Sequence, residues 1–191
     1  MENAVMTSPP KNSYLEIILG SMFSGKTSRL VEIYKQYKFC NIPIVVINHS
    51  IDNRYDENML STHDNVKIPC IKTNKLLDLI DSEDVYFSQV ILINEGQFFP
   101  DLFLFVEDML SVVNKKTIYV CGLDGDFERN RFGEIIDLIP LCDKVTKLTS
   151  LCSICKDGTP GIFSKRITKE KEQTVVGTDN YIPVCRNCYC K

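Results

Sequence analysis

The 191-residue sequence lacks three features that would each define a class of protein. Lys and Arg number 22 against 25 for Asp and Glu, so no basic excess is present, which argues against a dedicated binder of duplex DNA. No apolar run approaches 18 residues, which argues against a membrane span. Residues 1–11 lack the charged and apolar regions of a signal peptide, so we expect a disordered leader over residues 1–12 and a cytoplasmic location.

A disulfide framework is not expected either, although the chain holds nine cysteines. Without a secretion signal the compartment is expected to be reducing, and disulfides do not persist there. Five of the cysteines lie in the last forty residues, and this clustering needs a separate explanation. The other four lie in apolar surroundings and are interpreted as small buried hydrophobic residues: Cys40, Cys70, Cys121 and Cys142.

Short apolar strands alternate with amphipathic helices over most of the chain. Several strands are apolar throughout, which is typical of strands buried on both faces, so the pattern predicts an α/β fold with a mostly parallel sheet flanked by helices. The predicted strands span 14–20, 42–48, 67–72, 85–93 and 116–123, and the predicted helices span 25–40, 75–81, 101–113 and 137–148.

Residues 20–27 match the phosphate-binding pattern G-x-x-x-x-G-K-[ST] in full. They follow a predicted strand and open a predicted helix, where backbone amides and the helix N-terminus favour a phosphate. Lys26 can reach the β- and γ-phosphates, and the Thr27 hydroxyl can hold Mg²⁺. A glycine-rich turn with a chance lysine is the alternative. The pattern predicts a P-loop NTPase-like domain that binds ATP through Gly20, Ser21, Met22, Phe23, Ser24, Gly25, Lys26 and Thr27.

A buried strand ends in the polar residues Asn94, Glu95 and Gln97. In open parallel sheets ligands bind beyond the carboxyl ends of the strands. Nucleotide hydrolases and kinases place an acidic Mg²⁺ residue there, whereas Asn94 keeps an acceptor oxygen without the charge. A carboxylate beside the γ-phosphate is suited to take a proton from an attacking hydroxyl, so Glu95 is the predicted general base. The alternative is that Glu95 only caps a turn.

Two C-x-x-C pairs, Cys152 with Cys155 and Cys185 with Cys188, are separated by 29 residues. Together they can offer four thiolates in a tetrahedral site, which favours a structural Zn²⁺. The spacing exceeds the usual zinc-ribbon spacing of about 15–20 residues, so a long segment between the two pairs must extend away from the metal site and return to it. Two redox-active pairs are the alternative. We therefore expect a P-loop nucleotide-binding domain at residues 13–149 and a small zinc-binding domain at residues 150–191.

Taken together, these motifs resemble the type II, or cytosolic-type, thymidine kinases of cells and large DNA viruses. The resemblance covers almost the whole chain, from Leu15 to Tyr189. Its landmarks are GSMFSGKT at 20–27, DNRY at 52–55, THD at 62–64, EGQFFPD at 95–101, LDGDF at 123–127, LIPLCDKVTKLTSLC at 138–152, SKR at 164–166 and, after Tyr181, VCRNCY at 184–189.

The resemblance implies transfer of the ATP γ-phosphate to the 5′-hydroxyl of thymidine, giving dTMP for DNA synthesis by nucleotide salvage. It implies a homotetramer, dTTP as a feedback ligand, ATP, Mg²⁺ and structural Zn²⁺ as cofactors, and no nucleic-acid or membrane partner. Asp52 and Arg54 match a motif near the phosphates, and Asn94 and Gln97 belong to the same region. Glu95 takes the position of the base, and the four paired cysteines match the zinc ligands.

The nucleoside side of the site is also implied by the resemblance. A lasso segment, residues 165–181, closes the zinc-binding domain, and the backbone around Glu172–Val176 reads the thymine edge. A planar pyrimidine needs flat apolar walls, which Phe98 and Phe127 could supply, although core packing is the alternative for each. The implied nucleoside-binding residues are Met22, Phe98, Leu123, Phe127, Phe132, Glu172, Gln173, Thr174, Val175, Val176 and Tyr181.

The sequence departs from the family pattern at three places. Asn94 stands where the family usually has Asp, which predicts a higher Mg²⁺ requirement. Val-Val-Gly at 175–177 replaces a common Gly-Gly pair, and residues 156–163 form a slightly longer first knuckle loop.

Two other functions are the alternatives to a thymidine kinase. One is a zinc-ribbon P-loop ATPase acting on nucleic acid, and the other is a nucleotide-binding relative that is inactive because of Asn94.

Overall fold

Six strands form one sheet in which every neighbouring pair is parallel. The computed structural model of the chain describes residues 12–51, 58–62, 64–175 and 177–191. Across the sheet the order is β5-β2-β6-β7-β1-β8, which confirms the predicted α/β class. In chain order the strands are β1 (Tyr14–Gly20), β2 (Ile44–His49), β3 (Met59–Ser61), β4 (Lys67–Pro69), β5 (Ile71–Thr73), β6 (Val90–Asn94), β7 (Thr117–Gly122), β8 (Lys144–Leu148), β9 (Ser150–Leu151), β10 (Pro160–Gly161), β11 (Phe163–Arg166) and β12 (Tyr181–Val184).

Helices cover both faces of this sheet, because its central strands are apolar on both sides. One face packs Ile18 of β1 against Leu30 and Ile33, and the other packs Ile17 of β1 against Phe105. All five side chains are buried, and burying each contributes about 1.5–3 kcal/mol. The helices are α1 (Lys26–Phe39), which carries Leu30, α2 (Glu83–Phe87), α3 (Leu102–Met109), which carries Phe105, and α4 (Arg186–Tyr189), with a longer 3-10 helix at Ile135–Leu141.

The helix predicted at residues 137–148 is wrong. The 3-10 helix Ile135–Leu141 contains Pro140, and the chain then extends as β8, which pairs in parallel with β1. Because β8 is an edge strand, Lys144, Val145 and Lys147 lie exposed and its sequence lacks the apolar density of a central strand. The strand β8 can be recognised only from its pairing with β1, which lies far earlier in the sequence.

Two predicted strands also differ in the structure. The strand expected at 85–93 begins as α2, where the Ser82 side chain accepts the backbone N–H of Val85, and extended backbone starts only at Val90. The strand expected at 67–72 is divided between β4 and β5, which belong to different sheets. Side-chain capping at Ser82 therefore overrides a locally apolar pattern.

The two middle helices are shorter than predicted. The one expected at 75–81 is a single 3-10 turn, Leu77–Leu79, and the one expected at 101–113 ends at Met109. Among the scattered cysteines, Cys70 and Cys121 are buried as expected, whereas Cys142 is half-buried and Cys40 is exposed. Cys40 follows directly after α1 and is exposed there.

After β8 the chain forms a small C-terminal unit of two antiparallel ribbons, β9 with β10 and β11 with β12, followed by α4. Its apolar cluster contains only Val184 and three cysteines as buried members, with Phe163, Ile182 and Tyr189 packed against them. So small a cluster cannot by itself order forty residues. Across the described ranges, no helix has the length and apolar character needed to cross a lipid bilayer.

Candidate active site

The carboxyl ends of β1, β6 and β7 meet along one edge of the sheet, and a cavity opens there. Because all three strands are parallel, the loops that follow them converge on the same space. The phosphate loop forms one wall of the cavity, Glu95 and the segment after β7 form others, and the lasso segment contributes Gln173, Thr174, Val175 and Tyr181.

The phosphate loop leads directly into α1. Gly25 occupies the N-cap position in the left-handed region at φ 85°, and a side chain there would meet no atom within 4 Å. The Lys26 ammonium donates to the carbonyl of Ser21 at 2.9 Å, so it lies across the loop. Within the described residues the buried Ser24 hydroxyl has no hydrogen-bond partner. Open space, an orphaned hydroxyl and a helix N-terminus together fit a bound phosphate group.

The first residues of this loop are tied to the C-terminal unit. The buried Ser21 hydroxyl donates to the carbonyl of Gly161 at 2.8 Å, and the Met22 amide donates to the Ser164 hydroxyl at 2.9 Å. Of the predicted phosphate-loop residues, Met22 to Thr27 line the cavity, while the Ser21 side chain points away from it. A side chain on Gly20 would collide with the Leu148 carbonyl, which explains the glycine.

Glu95 follows β6 with its backbone in the left-handed region, at φ 55° and ψ 42°. This conformation is unfavourable for a non-glycine residue and costs about 1–3 kcal/mol, so the surrounding contacts must hold it. The Gln97 amide donates to the Glu95 carboxylate at 2.7 Å, and the same amide accepts the Leu123 N–H at 3.0 Å. Gln97 therefore fixes the predicted base relative to the segment that follows β7.

Asn94 lies beneath this turn rather than in the cavity. Its amide donates to the Asn48 side chain at 2.9 Å and accepts the thiol of Cys121 at 3.1 Å, and all three residues are buried. Burial raises the pKa of Cys121 to about 12, so the thiol keeps its proton and remains a donor. Asn94 thus has its donor and acceptor sides engaged across three strands.

The aromatic part of the cavity contains every predicted nucleoside residue that the structure describes except Glu172. The Phe98 and Phe132 rings meet edge to face with centroids 5.4 Å apart. Glu172 is exposed, and its carbonyl accepts a hydrogen bond from Arg166 outside the cavity. Asp52, Arg54 and Val176 lie outside the described residues. Those lining the cavity are Met22, Phe98, Leu123, Phe127, Phe132, Gln173, Thr174, Val175 and Tyr181.

Sequence reasoning missed four residues around the site. Asp126 accepts the amides of Glu128 and Asn130 and the side chain of Gln173, so it joins the LDGDF loop to the lasso segment. Its place within a landmark motif was the available signal. The other three are Ser164 and Arg166 of the SKR motif and His49 at the end of β2.

His49 lies at the same strand-end edge. Its Nδ1 accepts the backbone N–H of Ile51 at 3.1 Å, and its ring meets the Phe99 ring edge-on at 4.8 Å. Burial lowers the pKa of His49, and the nearby Glu95 and Asp101 carboxylates oppose that shift. A neutral imidazole is therefore favoured next to the predicted base.

The four paired cysteines converge in the C-terminal unit, with their Sγ atoms within 4.8 Å of one another. Tetrahedral zinc with Zn–S bonds of about 2.3 Å separates sulfurs by about 3.8 Å. The Cys155 sulfur lies 3.7 Å from that of Cys185 and 3.4 Å from that of Cys188, which fits this spacing. A backbone N–H from Cys155 lowers the pKa of Cys152 to about 6, whereas hydrogen bonds with the facing cysteines raise the pKa of Cys155. The cluster suggests a structural zinc site.

A phosphate loop on an all-parallel sheet, facing an aromatic cavity with a carboxylate, is typical of a P-loop kinase with a small-molecule acceptor. The family described as Thymidine kinase matches residues 13–189. A thymidine kinase of Choristoneura fumiferana entomopoxvirus is 44% identical over 182 residues, covering 92% of this chain and 95% of the relative. The chain therefore belongs to the thymidine kinase family.

Cellular and viral relatives cover the same region. Thymidine kinase of Vaccinia virus (strain Western Reserve) is 40% identical over 178 residues, covering 92% of this chain and 96% of the relative. A protein of Bos taurus named "Thymidine kinase, cytosolic" is 38% identical over 193 aligned positions, covering all of this chain and 78% of the relative. Family membership implies ATP as the phosphate donor and thymidine as the substrate.

Proposed function

We propose that this chain transfers the γ-phosphate of ATP to the 5′-hydroxyl of thymidine, giving dTMP for nucleotide salvage. The supporting observation is that one cavity contains the phosphate loop, the Glu95 carboxylate and an aromatic compartment. A phosphate donor and a nucleoside acceptor can therefore be held in the same space, and orientation of this kind supplies much of the rate of a two-substrate reaction.

The catalytic roles follow from the positions of the side chains. Glu95 accepts the proton of the 5′-hydroxyl as that oxygen bonds to the γ-phosphorus, and ADP departs with the bridging oxygen. Lys26 and the amides of the phosphate loop bind the phosphate oxygens. The Thr27 hydroxyl would hold Mg²⁺ together with the nucleotide, and the ion would neutralise part of the phosphate charge. By family resemblance Asp52 and Arg54 are assigned to phosphate binding as well.

The nucleoside occupies the aromatic compartment of the same cavity. The Phe98 and Phe127 rings provide flat apolar walls for a pyrimidine, and the apolar side chains of Met22 and Leu123 complete them. The backbone of the lasso segment and Tyr181 supply hydrogen-bonding groups to the edge of the base. Recognition through backbone groups is consistent with the exposed, unremarkable side chains of residues 169–174.

Family resemblance further implies that the chain works as a homotetramer and binds dTTP as a feedback ligand. The change in composition near residue 151 supports a division into domains at residues 13–149 and 150–191. A cytoplasmic location is supported by the nine cysteines, all of them free, and by the bovine relative's name. Sedimentation with and without dTTP tests the assembly, and inhibition by dTTP tests the feedback site.

The deciding experiment measures transfer of labelled γ-phosphate from ATP to a panel of nucleosides, with and without Mg²⁺. We expect Mg²⁺-dependent product with thymidine and much less with purine deoxynucleosides. ATP hydrolysis without transfer, stimulated by single-stranded nucleic acid with a steep salt dependence, would instead identify a nucleic-acid ATPase. ATP binding without turnover on any acceptor would identify the inactive relative.

A further inference from the structure

Arg166, at the end of β11, makes several polar contacts, and the proposed reaction assigns it no role. It is buried and does not line the cavity. One guanidinium nitrogen donates to the carbonyls of Glu170 at 2.9 Å and Glu172 at 2.5 Å, and the other donates to the carbonyl of Gln173 at 3.1 Å. That second nitrogen also donates to the Tyr181 hydroxyl.

The same guanidinium stacks on the aromatic wall of the cavity. Its central carbon lies 3.8 Å from the centroid of the Phe127 ring and 5.0 Å from that of Tyr181. The Tyr181 hydroxyl in turn donates to the carbonyl of Val175 at 3.3 Å. One buried side chain therefore joins the two ends of the lasso segment and holds it against a ring that lines the nucleoside compartment.

We propose that Arg166 is a positioning residue for the nucleoside, acting through the lasso segment and Phe127 without touching the substrate. The proposal rests on the nucleoside site proposed above. Because the side chains of residues 169–174 are exposed, few apolar contacts hold this stretch, and the carbonyls bonded to Arg166 are its main anchor. The side-chain bond from Gln173 to Asp126 is its second attachment.

Only arginine can make this set of contacts. Its planar guanidinium presents donors in fixed directions and stacks on an aromatic face, whereas a lysine ammonium keeps the charge but loses the fork and the stacking. Hydrogen bonds from charged donors contribute about 1.5–3 kcal/mol each, so losing even one correctly placed bond loosens the lasso segment by roughly tenfold to a hundredfold. The Arg166→Lys variant therefore separates charge from geometry.

Steady-state kinetics of Arg166→Lys test the proposal, with Arg129→Lys as the matched control. Arg129 is exposed and its guanidinium stacks 4.4 Å from the Tyr189 ring, so it makes a similar contact away from the cavity. We expect the KM for thymidine to rise roughly tenfold to a hundredfold in Arg166→Lys, with the KM for ATP and the bound zinc changed less than about twofold. The control should keep all three values.

Trypsin provides a readout that does not depend on turnover, because Lys169 and Lys171 lie inside the anchored stretch. We expect faster cleavage there in Arg166→Lys than in wild type. Thymidine should protect the variant only at a concentration raised by the same factor as its KM. Unchanged cleavage and an unchanged KM for thymidine would overturn the proposal. Equal losses of thymidine affinity, ATP affinity and zinc would also overturn it, since they indicate a general structural role.

These results remain separable from the proposed function. If the wild-type protein fails to phosphorylate thymidine, the proposed function fails. Cleavage of the ligand-free protein still shows whether Arg166 anchors the lasso segment. If thymidine is phosphorylated and Arg166→Lys behaves as wild type in both assays, only the positioning role fails.

Discussion

At the scale of single residues, the Glu95 carboxylate is held by its strained backbone and by the Gln97 side chain. Glu95→Gln preserves shape and can still accept the Gln97 hydrogen bond through its own amide oxygen. We expect turnover to fall about 10²–10⁴-fold, the usual contribution of a general base, with little change in thermal stability. Rapid phosphate-transfer assays across pH check this. Near-normal turnover with an unchanged pH profile would assign the base to another group.

Asn94 does not line the cavity, although its place in the sequence suggests a metal-binding position. Because its amide is hydrogen-bonded to Asn48 and Cys121, we expect Asn94→Asp to lower the free energy of unfolding by about 1–3 kcal/mol. Burial also raises the pKa of the new carboxyl, so its effect on the Mg²⁺ requirement should be small. Urea denaturation and a Mg²⁺ titration of turnover measure the two effects.

Asn74→Asp serves as the control, since Asn74 is exposed, and it should leave stability unchanged. A large fall in the half-saturating Mg²⁺ for Asn94→Asp, with stability retained, would show that residue 94 does act on the metal.

The phosphate-loop residues and Glu95 could be predicted from sequence because their motif is contiguous. The partners of Asn94 could not, because Asn48 and Cys121 come from two other strands whose register only the folded sheet defines.

At the scale of elements, the sequence predicted those whose own buried residues follow a regular apolar pattern. The strand β1 and the helix α1 occur close to where their apolar periodicity indicates. The pattern failed at α2 and at β8, for opposite physical reasons. In α2 an apolar stretch is turned into a helix by the Ser82 cap, and in β8 a polar stretch is extended by pairing with β1.

Gly133 tests how firmly the turn after β6 is enclosed. It has φ 62°, and a side chain there would collide with the Gln97 carbonyl, close to the amide that holds Glu95. We expect Gly133→Ala to lower the free energy of unfolding by about 2–4 kcal/mol, since left-handed strain and overpacking add together. Gly158→Ala is the matched control, because Gly158 has φ 89° with open space around it.

Denaturant unfolding of both glycine variants separates the cost of backbone strain from the cost of overpacking. The control should be destabilised only by the strain, which lowers its free energy of unfolding by about 1–2 kcal/mol. Equal losses in Gly133→Ala and Gly158→Ala would show that the contact with Gln97 relaxes freely. In that case Gly133→Ala should also leave turnover unaffected.

At the scale of the whole molecule, hydrogen bonds connect the C-terminal unit to the phosphate loop. Gly161 and Ser164, in ribbon strands of that unit, bond Ser21 and Met22 of the phosphate loop, so zinc held by the four cysteines would order both sides of these contacts. We expect Cys185→Ser to lose zinc and to weaken binding of both thymidine and ATP. Zinc analysis and calorimetric titration with each ligand measure this, and Cys190→Ser, an exposed cysteine outside the cluster, should change neither. Retention of full ATP affinity by zinc-free protein would show that the two bonds carry no coupling.

The position of β1 within the sheet has a consequence for how the protein is made. Both strands that pair with β1, namely β7 and β8, come from the later part of the chain. While the ribosome is still synthesising residues before 148, the strand that carries the phosphate loop has at least one unpaired edge. Sheets dominated by such distant pairings fold slowly and expose apolar edges in the meantime. The phosphate motif is therefore synthesised before the strands that complete its surroundings, and a chain released before β8 emerges carries this motif on a strand that still has one unpaired edge.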